Sequence, residues 1–182
     1  MKTHNWNIDT THSGVNFSVR HMVFAKVGGR FDRFSGTIAG DLDDLTGAKV
    51  AVDIEAASID TGAADRDTHL RSGDFFDAEQ FPTLRFVSQK IERASDDHYL
   101  VHGELTIRDV TREVTLEVDY NGRGTDPWGN QRIGFSATTS INRRDFGLKW
   151  NQVLEAGGML VGDRIDIGLE VQAVAAAAEP AA

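Results

Sequence analysis

The sequence comprises 182 residues, a length typical of one domain, and hydrophobic residues make up 40% of it, so the chain can bury its own core. Its formal net charge is −9, with 28 acidic and 19 basic side chains. This excess of acid disfavours binding to a nucleic-acid backbone or adsorption to anionic lipid, since both depend on basic patches. The chain has no cysteine, which excludes disulfides, thiolate nucleophiles and cysteine metal ligands.

The first residues, from Met1 to Gly14, contain one lysine and no apolar run of the kind found in secretory leaders. No stretch of the chain approaches the roughly 18 apolar residues that a membrane helix needs. We therefore expect a cytoplasmic protein with no stable membrane insertion and no nucleic-acid partner.

Apolar and polar residues alternate along most of the chain. In the first such segment Val15, Phe17 and Val19 share one face, and Asn16 and Ser18 lie on the other. This alternation is typical of antiparallel strands with one buried and one solvated face. It recurs about eight times, at 15–21, 38–42, 50–55, 84–87, 99–107, 114–120, 133–139 and 165–171.

Short turns rich in glycine, aspartate and asparagine separate these segments, and we expect two of them at Asn121–Gly122 and at 126–130. Many consecutive strands with one apolar face predict an all-β fold, either a sandwich or an up-and-down barrel. The barrel is preferred because closing the sheet removes its exposed edges.

One segment, Ala63–Gln80, breaks the alternation. Asp65 as an N-cap or first-turn acid, Gly73 as a stop and Pro82 after a second turn predict one or two short helices that cover one end of the barrel. We expect a single β-barrel domain over 1–174, followed by a flexible Ala/Pro tail at 175–182.

Histidine is the first candidate for metal or acid–base chemistry, and the chain has six. The four-residue spacing of His98 and His102 spans about 13 Å on a strand, too far to share one ion. His21 ends a strand on its apolar face, where it either meets a ligand head group or satisfies buried backbone. We predict no metal site.

His69 lies in a charged helical run, 66–71. Asp65 and His69 are spaced to pair on one helix face, as are Asp67 and Arg71, so local ion pairs account for the charges. The functional alternative is a lid on which His69 or Arg66 meets the polar end of a ligand.

The chain contains no Gly-x-Ser-x-Gly elbow, phosphate-binding loop or dinucleotide fingerprint. We therefore predict no cofactor and no catalytic residue. Two alternatives stay open. One is an enzyme acting on an apolar substrate, with His21, His69 or Asp67 as acid or base. The other is a solidly packed structural or interaction barrel.

Several glycines fall among large apolar residues on faces predicted to point inward, including Gly36, Gly40 and Gly103. Small inward residues leave space inside a small barrel. Alternatively, they ease the bending of the strands.

A series of longer motifs resembles the YceI-like, lipocalin-like family of polyisoprenoid-binding proteins. In chain order they are Asp9–Ser13, Val15–Met22, Gly29–Phe31, Phe34–Gly36, Ser58–Thr61, Arg66–Asp77 with Pro82, Gly103–Arg108, Val110–Thr111, Val114–Leu116, Ile141–Leu148 and Val161–Asp163. The resemblance extends from about Trp6 to Val174. Asp109 stands where the family pattern has glycine, which affects a turn more than a pocket.

The resemblance implies an extended eight-stranded antiparallel lipocalin-like barrel with a short helical insertion, which holds a long isoprenoid or similar lipid and assembles as a homodimer. It brings no agreed catalytic residues. The expected function is binding of a polyisoprenoid or isoprenoid quinone for carriage, storage or sequestration, including a role in stress. The predicted ligand-binding residues are Phe17, Val19, His21, Ile38, Val52, Ile54, Phe75, Phe76, Phe86, Val101, Leu105, Leu116, Phe135 and Ile167.

Overall fold

A computed structural model describes residues 3–177, which form eleven β-strands, one α-helix and two short 3-10 turns. No helix within this part of the chain is long and apolar enough to cross a membrane. The strands are β1 (His4–Ile8), β2 (Gly14–His21), β3 (Ala25–Phe31), β4 (Phe34–Asp41), β5 (Asp44–Glu55), β6 (Ile59–Asp60), β7 (Thr83–Arg93), β8 (His98–Ile107), β9 (Val110–Thr125), β10 (Gln131–Asn142) and β11 (Val161–Ala175). The helix α1 is Ala64–Arg71, and the 3-10 turns are Ala56–Ser58 and Arg143–Phe146.

The strands close into an antiparallel barrel in the order β1-β4-β5-β7-β8-β9-β10-β11, with β11 pairing back to β1. One edge of β11 pairs with β2 over residues 161–170 and with β1 over residues 173–175. The barrel is an eight-stranded meander whose first three strands are each broken in two. The halves are β1 and β2, β3 and β4, and β5 and β6, and the pairing continues through both halves because β2 pairs with β3 and β3 with β6. The predicted barrel is confirmed, and the sandwich alternative is wrong.

The two ends of the barrel differ. The turns after β4, β7 and β9 lie at one end, which we call the closed end. The opposite end, called the open end, carries the β2–β3 hairpin, the segment 56–82 with α1, the β8–β9 turn and the segment 143–160. Because every neighbouring pair of strands is antiparallel, successive connections alternate between the two ends, and the longer insertions all lie at the open end.

Buried apolar side chains fill the closed end and the base of the insertions. Trp6, Ile38, Ile133 and Ala173 form one cluster at the closed end. A second cluster beside it contains Leu45, Ala48, Phe86, Ile91, Tyr99 and Val101. A third lies at the open end and contains Phe31, Ala56, Ile59, Phe75, Leu84, Ile107, Phe146 and Leu148.

Three local features refine the sequence expectations. Asn121–Gly122 is not a turn, because β9 continues through it with a β-bulge opposite Gly134 and Phe135. The last strand continues to Ala175, and residues 178–182 of the predicted tail lie outside the described residues. The insertion contains one helix, with Asp65 in its first turn and Ser72 directly after its end.

A three-residue ion network joins the β1–β2 break to the closed end. Arg132 donates to Asp9 over 2.6 Å and to Asp126 over 2.8 Å. Hydrogen bonds from Arg132 and then His12 lower the pKa of Asp9 well below its usual range. Burial by itself raises the pKa of Asp126, but hydrogen bonds from Arg132 and Asn130 outweigh it and lower the pKa overall.

We expect Arg132→Gln to lower the melting temperature at neutral pH and to matter less as the pH falls. The folded pKa values of Asp9 and Asp126 lie below the unfolded value of about 3.9. Their contribution is therefore present above that pH and is lost as the pH falls through the folded values. Thermal unfolding followed by circular dichroism from neutral to acid pH measures this. Arg164→Gln, which removes an exposed pair with Asp166, is the control and should have little effect. A difference between wild type and Arg132→Gln that persists undiminished in acid would contradict the prediction.

Candidate ligand-binding site

A cavity of about 600 Å³ runs inside the barrel. This volume lies within the range of small-molecule pockets in proteins. Side chains from the strands of the barrel and from the α1 segment form its wall, and most of them are aliphatic or aromatic. The cavity excludes the alternative of a solidly packed barrel.

All fourteen residues predicted to contact a ligand lie on the wall of this cavity. Several of them, including Phe17, Leu116 and Ile167, are only half-buried although they point into the barrel. They face the cavity rather than other packed side chains, which explains this intermediate exposure. Direct contact of these side chains with a ligand stays a prediction. The fourteen are Phe17, Val19, His21, Ile38, Val52, Ile54, Phe75, Phe76, Phe86, Val101, Leu105, Leu116, Phe135 and Ile167.

The cavity has its mouth at the open end. Toward the closed end the wall consists of buried apolar residues such as Leu45, Ile91 and Tyr99. Toward the open end it includes the exposed side chains of Arg20 and Arg66. Exposed residues line a cavity where it meets solvent, so the mouth lies between the β2–β3 hairpin and α1.

Trp150 belongs to the wall, but the sequence pattern did not select it. Its ring meets the His69 ring edge-on, with centroids 4.6 Å apart, and lies 5.5 Å from the Phe75 ring. The three rings cover part of the open end. Trp150 lies in an irregular segment without apolar periodicity, so no period-2 signal marks it.

The charged residues of α1 hold the helix to the preceding segment instead of pairing with one another. The buried carboxylate of Asp67 accepts hydrogen bonds from the Thr61 amide, over 2.9 Å, and from the Thr61 hydroxyl. Arg71 donates to the carbonyl oxygens of Ala57 and Ile59. The expected Asp67–Arg71 pair is wrong, because the amide and hydroxyl of Thr61 bind the Asp67 carboxylate and two backbone carbonyl oxygens bind the Arg71 side chain.

His69 likewise does not pair with Asp65. Its Nε2 atom lies 2.9 Å from a carboxylate oxygen of Asp74, which follows the helix. Its ring face packs among aromatic side chains on the cavity wall. His69 and Arg66 both line the cavity near its mouth. Contact of either residue with the polar end of a ligand stays a prediction.

The inward glycines do not supply the cavity volume. A Cβ atom at Gly103 would lie 2.5 Å from Cζ of Phe86, and one at Gly40 would lie 2.6 Å from Cβ of Ala48. Gly103 therefore makes room for the Phe86 ring, and Gly40 allows the close approach of Ala48.

Arg143 is a buried cation beside the cavity that sequence reasoning placed in a motif without assigning it a role. Its side chain is 3% exposed. It donates to the carbonyl oxygens of Gly162, Leu148 and Trp150 over 2.9, 2.7 and 2.9 Å. Burial lowers the pKa of its guanidinium group. Arg143 thus ties the segment carrying Trp150 to the start of β11.

Polar chemistry inside the barrel is sparse. Within residues 3–177, no three His, Asp or Glu side chains come together as metal ligands would. His98 and His102 lie on the outer face, where they contact Asp119 and Glu92 respectively. The arrangement suits retention of an apolar molecule, because the charged side chains of the wall lie at the open end.

A family model described as the YceI-like domain matches residues 6–173, nearly the whole described chain. The chain belongs to the YceI-like family. A UPF0312 protein of Staphylococcus aureus is 36% identical to the YceI-like chain over 170 residues, which cover 93% of the chain and 95% of the relative. A UPF0312 protein of Vibrio vulnificus is 41% identical over 143 residues, covering 78% and 76%.

Solved structures share the YceI-like barrel. A YceI protein of Campylobacter jejuni is 30% identical, with a TM-score of 0.72 over 85% of this chain and 88% of its own. BcnA of Burkholderia cenocepacia is 25% identical, with a TM-score of 0.80 over 91% and 98%. A polyisoprenoid binding domain from Saccharophagus degradans, at 16% identity and a TM-score of 0.72 over 96% and 100%, shares the fold. The resemblance predicted from the motifs is confirmed.

Proposed function

We propose that this YceI-like protein binds a long-chain apolar lipid, a polyisoprenoid or an isoprenoid quinone, inside its barrel. The bound lipid would be carried, stored or sequestered. The observation that carries the proposal is the cavity of about 600 Å³, whose wall is apolar from the closed end to the level of α1. A protein interior is normally close-packed, so an apolar cavity of this size indicates a ligand.

The energetics favour a flexible hydrocarbon chain over a compact polar ligand. Each buried methylene contributes about 0.8 kcal/mol, so a prenyl chain gains affinity along its whole length. Ordering the chain offsets part of this gain. Many weak contacts and few polar ones favour tight binding that tolerates different chain lengths. The polyisoprenoid binding domain from Saccharophagus degradans has the same fold and a ligand class that suits such a lumen.

The enzyme alternative has less support. Asp67 is not on the cavity wall, and its carboxylate is engaged by Thr61, so it does not face a substrate in the lumen. His69 contacts Asp74 at the mouth, where aromatic rings surround it and no nucleophile was predicted. His21 lies on the cavity wall. The sequence predicts no second acid or base that would act together with it. We therefore propose a binding protein and not an enzyme.

Three further proposals accompany this one. The protein acts in the cytoplasm, it forms a homodimer, and its lipid carriage or sequestration serves a stress response. Sedimentation velocity tests the dimer, and cell fractionation tests the compartment.

Native mass spectrometry of the purified protein, with organic extraction of the same sample, tests the lipid proposal. We expect a mass increment that disappears on denaturation and an extracted molecule of prenyl type. Protein that carries no lipid and fails to take up a long-chain prenyl alcohol or quinone in titration would contradict the proposal. A fluorescent prenyl probe displaced by unlabelled chains gives the affinity.

A further inference from the structure

The open end of the barrel carries an exposed apolar surface, which we call the tip. Its members are Met22, Val23 and Phe24 in the β2–β3 hairpin and Val153 and Met159 in the segment 143–160, with exposed fractions of 39%, 62%, 79%, 70% and 46%. Among the large hydrophobic side chains exposed in residues 3–177, the sixth is Trp128, in the β9–β10 turn at the closed end. The exposed apolar residues are therefore concentrated at one end of the molecule.

The two parts of the tip form one surface. The amide of Met22 donates to the carbonyl oxygen of Leu160 over 2.9 Å. A Cβ atom at Gly158 would lie 3.1 Å from Cγ2 of Val23, so the two loops are in contact. Val153 and Met159 face each other in an isolated antiparallel bridge. The tip is thus held in place by backbone pairing.

The backbone of the hairpin is strained where it displays these side chains. Met22 and Val23 have φ angles of 53° and 72°. Hairpin turns with positive φ normally contain asparagine or glycine, and a β-branched residue is unfavourable there. Strain of this kind persists mainly at functional sites. The sequence keeps two apolar residues at a turn where polar ones are easier to accommodate.

The charge of the tip region is opposite in sign to that of the rest of the protein. Residues 20–26 and 143–164 contain six basic and three acidic side chains, a net charge of +3, whereas the remainder carries −12. Of the six basic side chains, Arg143 is buried, and Arg144 and Arg164 pair with Asp163 and Asp166. Arg20, Lys26 and Lys149 are exposed. The overall charge of −9 disfavours anionic surfaces, but its distribution leaves a basic rim around the apolar tip.

We propose that the tip docks transiently on an anionic lipid bilayer, with Val23 and Phe24 among the head groups and the basic side chains against lipid phosphates. His21 and Leu160, next to the tip in sequence, line the cavity, so docking would bring the mouth to the membrane. A stable protein–protein interface buries roughly 20–30 residues on each side, many more than the tip offers. A small apolar surface with a basic rim suits the bilayer interface. Membrane docking by the tip is an activity separate from lipid binding in the barrel. It does not depend on what the lumen holds.

Co-flotation with vesicles tests the docking. We expect the wild-type protein to partition onto vesicles of equimolar phosphatidylcholine and phosphatidylglycerol more than onto phosphatidylcholine alone, and less as salt is added. The double variant Phe24→Ser, Val153→Ser should partition at least about tenfold less, because it removes the burial of two apolar side chains. Trp128→Ser, which removes an exposed aromatic ring at the closed end, is the matched control and should behave as wild type.

Two outcomes would overturn the proposal. In the first, the double variant keeps its melting temperature and partitions as the wild type does. In the second, sedimentation velocity shows that the double variant turns a dimer into a monomer while vesicle binding is unchanged, which would make the tip an interface between copies. Leu116→Trp, which narrows the cavity far from the tip, should leave vesicle binding unchanged. Its behaviour separates a failure of docking from a failure of lipid binding inside the barrel.

Discussion

Leu116→Trp is expected to weaken binding of a long-chain prenyl ligand by more than tenfold. Leu116 lies on β9 with its side chain on the cavity wall, and it is half-buried. An indole ring there would occupy part of the lumen and prevent some methylenes from being buried. Loss of only two costs about 1.6 kcal/mol, which is more than a factor of ten in affinity. Titration with the fluorescent prenyl probe measures the change.

The same substitution should leave the stability of the barrel nearly unchanged. Overpacking destabilises a filled core, whereas here the added ring has a cavity to enter. A short-chain prenyl alcohol should be affected less than a long-chain one, because it needs less of the lumen. Glu117→Trp places the same ring on the outer face of the same strand and should alter neither affinity nor stability. Equal weakening by both variants, or no weakening by Leu116→Trp, would contradict binding along the lumen.

Arg143→Leu is expected to lower the free energy of unfolding by about 3 kcal/mol or more. The buried guanidinium donates to four backbone carbonyl oxygens, those of Gly162, Leu148, Trp150 and Val161. Leucine fills much of the volume but donates nothing, so these acceptors lose their partner in a site with little access to water. Chemical denaturation at neutral pH measures the loss.

Arg144→Leu is the matched control, since the two arginines are neighbours in sequence. The Arg144 side chain is 41% exposed and pairs with Asp163 over 2.9 Å. An exposed pair of this kind contributes less than about 1 kcal/mol. If both variants lowered stability equally, the carbonyl contacts of Arg143 would not explain its burial. We also expect Arg143→Leu to weaken prenyl binding, because it releases the segment that carries Trp150.

Much of the wall could be predicted because alternation identifies the inner face of each strand. Phe17 and Ile167 each lie in a segment whose even positions are polar or small, and each lines the cavity. The pattern needs no knowledge of neighbouring strands, since successive side chains of any strand point to opposite faces. The insertion was equally visible, as a stretch of charged residues without alternation.

Other features depended on partners distant in sequence. Asn121–Gly122 has the composition of a turn, but pairing with β10 turns it into a bulge inside β9. Gly103 was a candidate for open space until the position of Phe86 across it was known. Asp67 has Arg71 one turn away, yet it accepts hydrogen bonds from Thr61, because the chain entering the helix presents an amide and a hydroxyl to it.

The sequence by itself determined which residues face inward, where the chain departs from strand structure and which family the protein resembles. These properties depend on local periodicity and on ordered motifs. Only the tertiary structure decided that the inward faces leave a cavity, that its mouth opens beside α1 and that an apolar tip with a basic rim stands next to it. Volume, access and surface charge arise from how strands close and which loops share an end, and no local pattern contains that information.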